Sequence, residues 1–201
     1  MKIAVYGATG MVGSQIVSES LSRGHEVTAV SRSGSAIEGA SAISADLADQ
    51  AAFTQIVEAH DTVVLATVPS RTGGDHSEWL EAMNGVYGIA AKTRLLIVGG
   101  AGALEIDGVR LVDSPDFPEA YKAEALTMAA AYEAAKEAPD HVDWTVLAPA
   151  PLIQPGERTG EYVTDLDTPA GSHISTQDFA VAMLDEIENP KHRRTRFTAA
   201  N

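Results

Sequence analysis

Along the chain, short apolar runs alternate with stretches in which apolar positions recur three and four residues apart. The runs "KIAVY", "EVTAV", "SAISA", "DTVVLAT", "RLLIVG", "WTVLAP" and "RTRFTA" read as seven strands. The intervening periodicity predicts helices over Val12 to Arg23, Asp49 to Ala59, Ser77 to Ala91, Pro118 to Glu137 and Thr176 to Glu188. In the last, Phe179, Met183 and Ile187 fall four apart with Ala180 and Leu184 beside them, which makes one apolar face for packing on a sheet. Strands alternating with helices from end to end predict an α/β fold: a doubly wound parallel sheet of about seven strands with helices on both faces, in one domain over residues 1–201. Two segments fit neither pattern. "VPSRTGGDHSE" follows the fourth strand and "QPGERTGEYVTDLDTPAGSH" the sixth, so loops are expected near 69–77 and 151–175. Both lie beyond carboxyl ends of strands, where an open α/β sheet takes its ligands.

Charge and composition narrow the function. A formal net charge of −14 argues against binding nucleic acid or an anionic membrane, because both require a basic surface. The locally basic "KHRRTR", Lys191 to Arg196, reads as a solvated turn before the last strand. With no cysteine there is no disulfide framework, thiolate metal site or cysteine nucleophile, which suits a reducing cytoplasm. The start "MKIAVYG" carries no signal-peptide pattern, and no segment has the length of a membrane span. Asp75 and His76 in "DHSE" read as a helix cap, so no metal site is expected. His60, His141 and His173 are isolated and receive no role.

The chemistry concentrates in "VYGATGMVGSQIV", Val5 to Val17. Gly7, Gly10 and Gly13 sit between a strand and an amphipathic helix carrying Val12, Ile16, Val17 and Leu21, with a second strand beyond "SRGHE". In that βαβ setting the first glycine permits a tight turn, the second lets a pyrophosphate approach the backbone, and the third packs helix on strand. The amides at the helix start then face the phosphates. A dinucleotide cofactor is the expectation over a merely structural turn. At the end of the second strand, Ser31 and Arg32 stand where a carboxylate would hold a ribose 2′-hydroxyl. A hydroxyl and a guanidinium suit a 2′-phosphate, so NADP(H) is favoured over NAD(H), unless Arg32 only stacks on the adenine.

The spacing G-x-x-G-x-x-G resembles that of atypical short-chain dehydrogenase/reductases. "VGGAG" (Val98 to Gly102), "DSPDFPEAYKAEA" (Asp113 to Ala125), "DWTVLAPA" (Asp143 to Ala150) and "HISTQDFAVAMLDEIENPKHRRTRFT" are similar to an NAD(P)H-binding group within it. That group includes provisionally named NADH-flavin reductases and is related to NmrA-like proteins and biliverdin-IXβ reductases. The resemblance implies a Rossmann-like fold. It implies cofactor contacts from Gly7, Thr9, Gly10, Met11, Val12, Gly13, Ser31, Arg32, Asp46, Leu47, Ala66, Thr67, Val68, Gly99, Gly100, Lys122 and Pro149. Asp46 would meet the adenine amino group above Leu47; its other reading is the N-cap of the following helix. Small residues at "ATVPS" and "GGAG" would admit the nicotinamide half.

Carbonyl reducers of this superfamily use a Tyr acid in Y-x-x-x-K with a nearby Ser. "YEAAK", Tyr132 to Lys136, matches the pattern but lies ten residues late, or roughly 15 Å along a helix, so it is read as packing or surface. At the expected place stand Tyr121 and Lys122, adjacent and therefore about 100° apart on a helix. Lys122, as a ribose ligand, and Ser114 are the candidates, and the catalytic residues stay unassigned. Missing acid chemistry suits hydride transfer to a flavin, quinone or similar conjugated acceptor, whose reduced anion is stable near neutrality. Flavin is then a substrate, held face to face with the nicotinamide, with Pro149, Pro151 and Tyr162 as walls. The alternative is an NmrA-like NADP(H) sensor without turnover. Pro118 to Glu137 offers a face for a homodimer.

Overall fold

The computed structural model describes residues 1–89 and 93–201. In chain order the elements are β1 (Lys2–Tyr6), α1 (Gly13–Ser22), β2 (Glu26–Ser31), β3 (Ser41–Ser44), α2 (Gln50–Ala59), β4 (Thr62–Leu65), α3 (His76–Val86) and β5 (Arg94–Val98). There follow β6 (Glu105–Ile106), β7 (Val109–Arg110), α4 (Glu119–Lys136), β8 (Trp144–Pro149), β9 (Leu152–Gln154), β10 (Val163–Asp165), β11 (His173–Ser175), α5 (Thr176–Glu188) and β12 (Thr195–Ala200).

The main sheet has the order β10-β12-β8-β5-β4-β1-β2-β3. Its seven parallel members are the seven strands expected from the apolar runs. After β3 the chain crosses back to lay β4 on the other side of β1, pairing Ile3 with Thr62 while Lys2 pairs with Glu26 on the first side. The order of strands therefore reverses at the β1/β4 crevice. Alternation along β1 sorts the core into two layers. Ile3 and Val5 face α1 and α5, with Ile16, Val17, Phe179 and Met183; Ala4 and Tyr6 face α2 and α3, with Phe53, Ile56, Met83 and, farther along, Trp144.

The segment read as a loop after β8 is not wholly one. Its Val163–Asp165 joins the sheet antiparallel to β12 as an eighth, edge strand, and β9 and β11 pair in parallel nearby. Three residues flanked by Gly, Pro and polar groups carry no usable hydrophobic pattern, and pairing with the free edge of β12 makes them a strand. The segment is also stapled down. Arg158 reaches Glu19 through two 2.8 Å bonds, the amide and hydroxyl of Thr159 and the amide of Gly160 donate to the buried Asp178, and the Tyr162 hydroxyl donates to Asp185.

Helix ends differ from expectation in two places. Helix α3 stops at Val86, Tyr87 to Ile89 form a turn, and Ala90 and Ala91 lie outside the described residues. Helix α2 is capped by Asp49, which accepts from the Ala51 and Ala52 amides, whereas Asp46 accepts from Ala48 in a turn before it. The N-cap reading of Asp46 is thereby corrected. Asp75 does cap α3, accepting from Ser77.

"KHRRTR" is not a solvated turn. His192 donates its amide to Glu186 and its ring lies 2.8 Å from the same carboxylate, Arg193 pairs with Asp143, and Arg194 donates to the carbonyls of Ala138, Pro139 and Val142. Arg196 is buried, bonded to Asp167 and the Ala103 carbonyl, with its guanidinium 4.3 Å over the Tyr132 ring. Most of these groups, with Arg94, bind the elements at the amino edge of the sheet.

Candidate functional site

The glycine loop at the β1/β4 crevice is shaped residue by residue. Gly7 has φ +75°, and a Cβ there would lie 2.3 Å from the Ala66 carbonyl oxygen; a Cβ on Gly13 would lie 2.1 Å from the Gly7 oxygen. The first glycine is thus required by the turn and the neighbouring strand, the third by helix-on-strand contact. Gly10 is different: it is exposed, and a Cβ on it would meet only the Gly7 oxygen, at 3.2 Å. No side chain caps α1, and the amides of Met11 and Val12 donate to no acceptor among the described residues. Uncapped amides at the positive end of a helix dipole, with an open glycine in front, form a cradle complementary to a pyrophosphate. Met11 and Val68, both large and apolar, stand exposed at this edge.

From the crevice toward β3, the edge turns polar. Ser31 is buried at the end of β2, with its hydroxyl 3.4 Å from that of Ser33, which in turn lies 2.7 Å from that of Ser35. Arg32 beside them is exposed and makes no ion pair with any described residue. Asp46 is exposed after β3, with Leu47 buried beneath.

On the other side of the crevice the floor is closed. A Cβ on Gly99 would meet Val146 at 2.7 Å and one on Gly100 would meet Met128 at 3.0 Å, so these glycines serve the packing of β8 and α4. Trp79, Gly99, Gly100, Met128 and Tyr132 line a void of only about 10 Å³, at the lower limit of what a water needs. Thr67, at the end of β4, accepts the Trp79 indole N–H at 3.1 Å, which leaves its own proton free to donate. Pro149 is buried at the end of β8. Tyr162 belongs with the α5 side of the core through its bond to Asp185, so it does not stand with Thr67.

Tyr121 is exposed at the start of α4. One turn later comes Ala125, and its methyl lies against the position a Gly102 Cβ would take, at 2.8 Å. The packing of the Ala101–Ala103 turn leaves a small residue where an i, i+4 lysine would stand. Lys122 makes no ion pair with any described residue. It lies near enough to Asp113 to assist Arg110, whose bond is the main cause, in holding that carboxyl below its ordinary value. The Ser114 hydroxyl accepts weakly from Asp116, at 3.4 Å. Tyr132 packs edge-on to Trp144 under Arg196, and burial raises its hydroxyl above the ordinary tyrosine value, as a packing residue rather than an acid.

Facing α4 is the loop between β4 and α3, and here the structure assembles residues that sequence reasoning did not bring together. Arg71 forks onto Glu124 with bonds of 2.7 and 2.6 Å. One α-helical turn on, Thr127 lies 2.9 Å from His76 Nδ1, while His76 Nε2 lies 2.8 Å from the Ser70 carbonyl. These partners are 51 and 53 residues apart, so no local spacing signals them.

Fold and edge together define a Rossmann-like nucleotide-binding class. A family model described as NAD(P)H-binding matches residues 7–190, and the chain belongs to that family. YwnB of Bacillus subtilis, whose function is uncharacterised, is 36% identical over the whole of this chain and 99% of its own. A Burkholderia pseudomallei structure, provisionally described as an exported protein, is 40% identical with TM-score 0.89, covering all of both chains. A Streptococcus pneumoniae structure, provisionally named an NADH-flavin reductase, is 32% identical with TM-score 0.88, covering all of this chain and 99% of its own. Among the described residues, no helix is long and apolar enough to cross a membrane.

Proposed function

We propose that this protein is an NAD(P)H-dependent reductase, selective for NADP(H), that passes a hydride to a flavin, quinone or similar conjugated small molecule. The observation that carries the reading is the uncapped start of α1 behind an open Gly10, beside a crevice where the strand order reverses. The nicotinamide cofactor, when bound, supplies the hydride.

The amides of Met11 and Val12 would hold its pyrophosphate. Arg32 and the hydroxyls of Ser31 and Ser33 would take the 2′-phosphate, with no carboxylate at the end of β2 to repel it. Asp46 and Leu47 would bound the adenine, and Ala66, Thr67, Val68 and Pro149 the nicotinamide. Lys122 is assigned to the ribose. The protein's share of the chemistry would be positioning: the packed Gly99, Gly100 and Met128 would support the ligand, and the Thr67 hydroxyl, which accepts from Trp79 and keeps its own proton to donate, would contribute a hydrogen bond. No carboxyl group lines the small void beside Gly99 and Gly100 among the described residues; Tyr132 does, with its hydroxyl held above its ordinary value by burial. This suits an acceptor whose reduced form leaves as a stable anion and takes its proton from solvent.

The names carried by relatives range from an exported protein to a flavin reductase, so the acceptor class rests on the site, with the Streptococcus name in support. The test is NADPH oxidation followed at 340 nm with excess FMN or a soluble quinone, repeated with Gly10→Asp. Turnover that vanishes in the variant supports the reading. NADPH binding without turnover of either acceptor overturns it in favour of the NmrA-like sensor.

A further inference from the structure

We infer that His76 is a positioning residue for the nicotinamide half of the cofactor site: it fastens the β4–α3 loop to α4, and fastens it fully only when its imidazole carries both protons. The inference rests on the cofactor reading above, which places Thr67 and Val68 of that loop against the nicotinamide.

The ring joins three parts of the chain. It belongs to the first residue of α3, its Nε2 lies 2.8 Å from the Ser70 carbonyl oxygen in the loop, and its Nδ1 lies 2.9 Å from the Thr127 hydroxyl oxygen on α4. Ser70 in turn folds the loop on itself, its Oγ accepting the Gly74 amide at 2.9 Å. The base of the loop is held by Trp79, three residues beyond His76 on α3, whose indole N–H donates to Thr67. The loop is thus held from α3 at two points, and His76 carries one of them through to α4.

Donor and acceptor roles decide the state of the ring. A carbonyl oxygen can only accept, so Nε2 carries a proton. The Thr127 hydroxyl has a single proton, and its acceptor is the Ala123 carbonyl, 3.0 Å away in the preceding turn of α4. Thr127 Oγ1 then faces Nδ1 as an acceptor, and Nδ1 carries a proton as well. With the ring so protonated, three bonds run in a chain from Ser70 to Ala123 and each polar atom in it is satisfied. In the neutral ring the Thr127 proton must turn to Nδ1. The bond to Ala123 is then lost, and the two that remain are no longer charge-assisted. His60 shows the other case. Its Nδ1 lies 2.6 Å from the Ile56 carbonyl and its Nε2 2.7 Å from the Thr28 hydroxyl, which has no other side-chain bond among the described residues and is free to donate. A neutral ring satisfies that site, whereas at His76 the imidazolium completes the chain.

The charges around the ring lean the same way. From α3 come Asp75 at its cap and Glu78 in its first turn; from α4, Glu124 and Tyr121; from the loop, Arg71, already paired with Glu124. The Asp75 carboxyl is held below its ordinary value by the amide and hydroxyl of Ser77 first and by His76 after them. Asp75 and Glu78 offset the positive end of the α3 dipole, which by itself disfavours a cation there. Histidine changes charge between about pH 5 and 8, so the fastening follows pH across the physiological range.

Two readouts test this at about pH 6, 7 and 8: amide exchange of the loop from Ser70 to Asp75, corrected for the intrinsic pH dependence of exchange, and equilibrium NADP⁺ affinity. A 2′-phosphate also titrates, near about pH 6, so each wild-type profile is divided by that of His76→Gln, in which the phosphate still titrates and the imidazole is gone. Loss of one hydrogen bond and of charge assistance in two others predicts that the wild-type-to-variant ratio falls about threefold or more in both readouts as pH rises across this range. Thr127→Val, which keeps the shape of the contact and removes the hydroxyl, should follow His76→Gln. Wild-type profiles parallel to His76→Gln in both readouts overturn the inference. Loop exchange that follows pH while the affinity ratio stays flat overturns the role in positioning the cofactor. No NADP⁺ binding by any form overturns the cofactor reading itself, and the exchange profile then still decides whether the proton-dependent fastening exists.

Discussion

The two edges of the parallel sheet treat charge in opposite ways. At the amino edge every cation described above has a partner: buried Arg94 meets Glu186 at 2.5 Å and the Thr145 hydroxyl at 2.8 Å, Arg193 pairs with Asp143, and Arg23 on α1 bonds Glu19, Asp185 and Glu188. At the carboxyl edge Arg32 and Lys122 make no ion pair with any described residue, Arg71 holds an exposed one, and the α1 amides are uncapped. One edge is closed and contributes to stability. The other leaves polar groups without an internal partner among the described residues. The amino edge spends its cations on internal pairs, although Arg94 Nε, Asp143 Oδ1 and the Trp144 indole nitrogen stay buried there without a hydrogen-bond partner among the described residues.

The largest expected effect breaks the closed edge. Arg94→Met leaves Glu186 buried without its cation and should destabilise the protein by about 3–5 kcal/mol in urea unfolding, since an unpaired buried charge is costly. Cofactor affinity of the folded fraction should not change; a variant that loses NADPH affinity with little change in stability would mean the edges are not separate. Acid unfolding reads the same edge. Burial would raise the Glu186 carboxyl, but the His192 amide, Arg94 and the His192 ring together hold it below its ordinary value. Its folded pKa being depressed, its contribution is present above the unfolded value near 4.5 and is lost as pH falls through the folded value. Stability should therefore hold from neutrality to about pH 5 and fall below it, and Glu186→Gln should flatten that acid limb.

The open edge is broken by Gly10→Asp. The residue is exposed and its φ is ordinary, so the fold should survive while NADPH affinity falls on the order of a hundredfold, about 2.7 kcal/mol. Gly13→Ala, whose Cβ would sit 2.1 Å from backbone, should instead cost stability; calorimetry on the pair separates ligand glycine from packing glycine. Smaller is Arg32→Glu, expected to weaken NADPH about tenfold more than NADH. Equal losses would show that Arg32 does not read the 2′-phosphate. Smallest is Tyr132→Phe: the ring packs edge-on to Trp144 under Arg196 and lines the void beside Gly99 and Gly100, and with its hydroxyl read as packing rather than as an acid, NADPH-dependent turnover should be unchanged; a loss above twofold would place it back in the chemistry.

Legibility followed chain separation. The glycine cradle lies within seven residues, and the requirement at each glycine was readable from a strand before and a helix after. Most of the parallel strands were readable because strands buried on both faces are apolar runs; β3, exposed throughout at the sheet edge, was read from "SAISA" instead. The eighth was not, since Val163–Asp165 is a strand only by virtue of the edge it meets. "KHRRTR" looked solvated because five basic residues in a row of six carry no local hint that Glu186, Asp143 and three helix-end carbonyls converge on them. The same is true of the packing requirement at Gly99 and Gly100, where a Cβ would meet Val146 or Met128.

By itself the sequence determined the alternation of strands and helices and the place of the glycine turn between β1 and α1, because backbone conformation and amphipathic period are properties of neighbouring residues. Only the tertiary structure decided which charges are paired internally and which are left open at the carboxyl edge. It also decided that Arg71 and Glu124, 53 residues apart, pair between the β4–α3 loop and α4. Side-chain pairing across that distance is set by where the sheet order brings α3 and α4 together, and no local spacing encodes it.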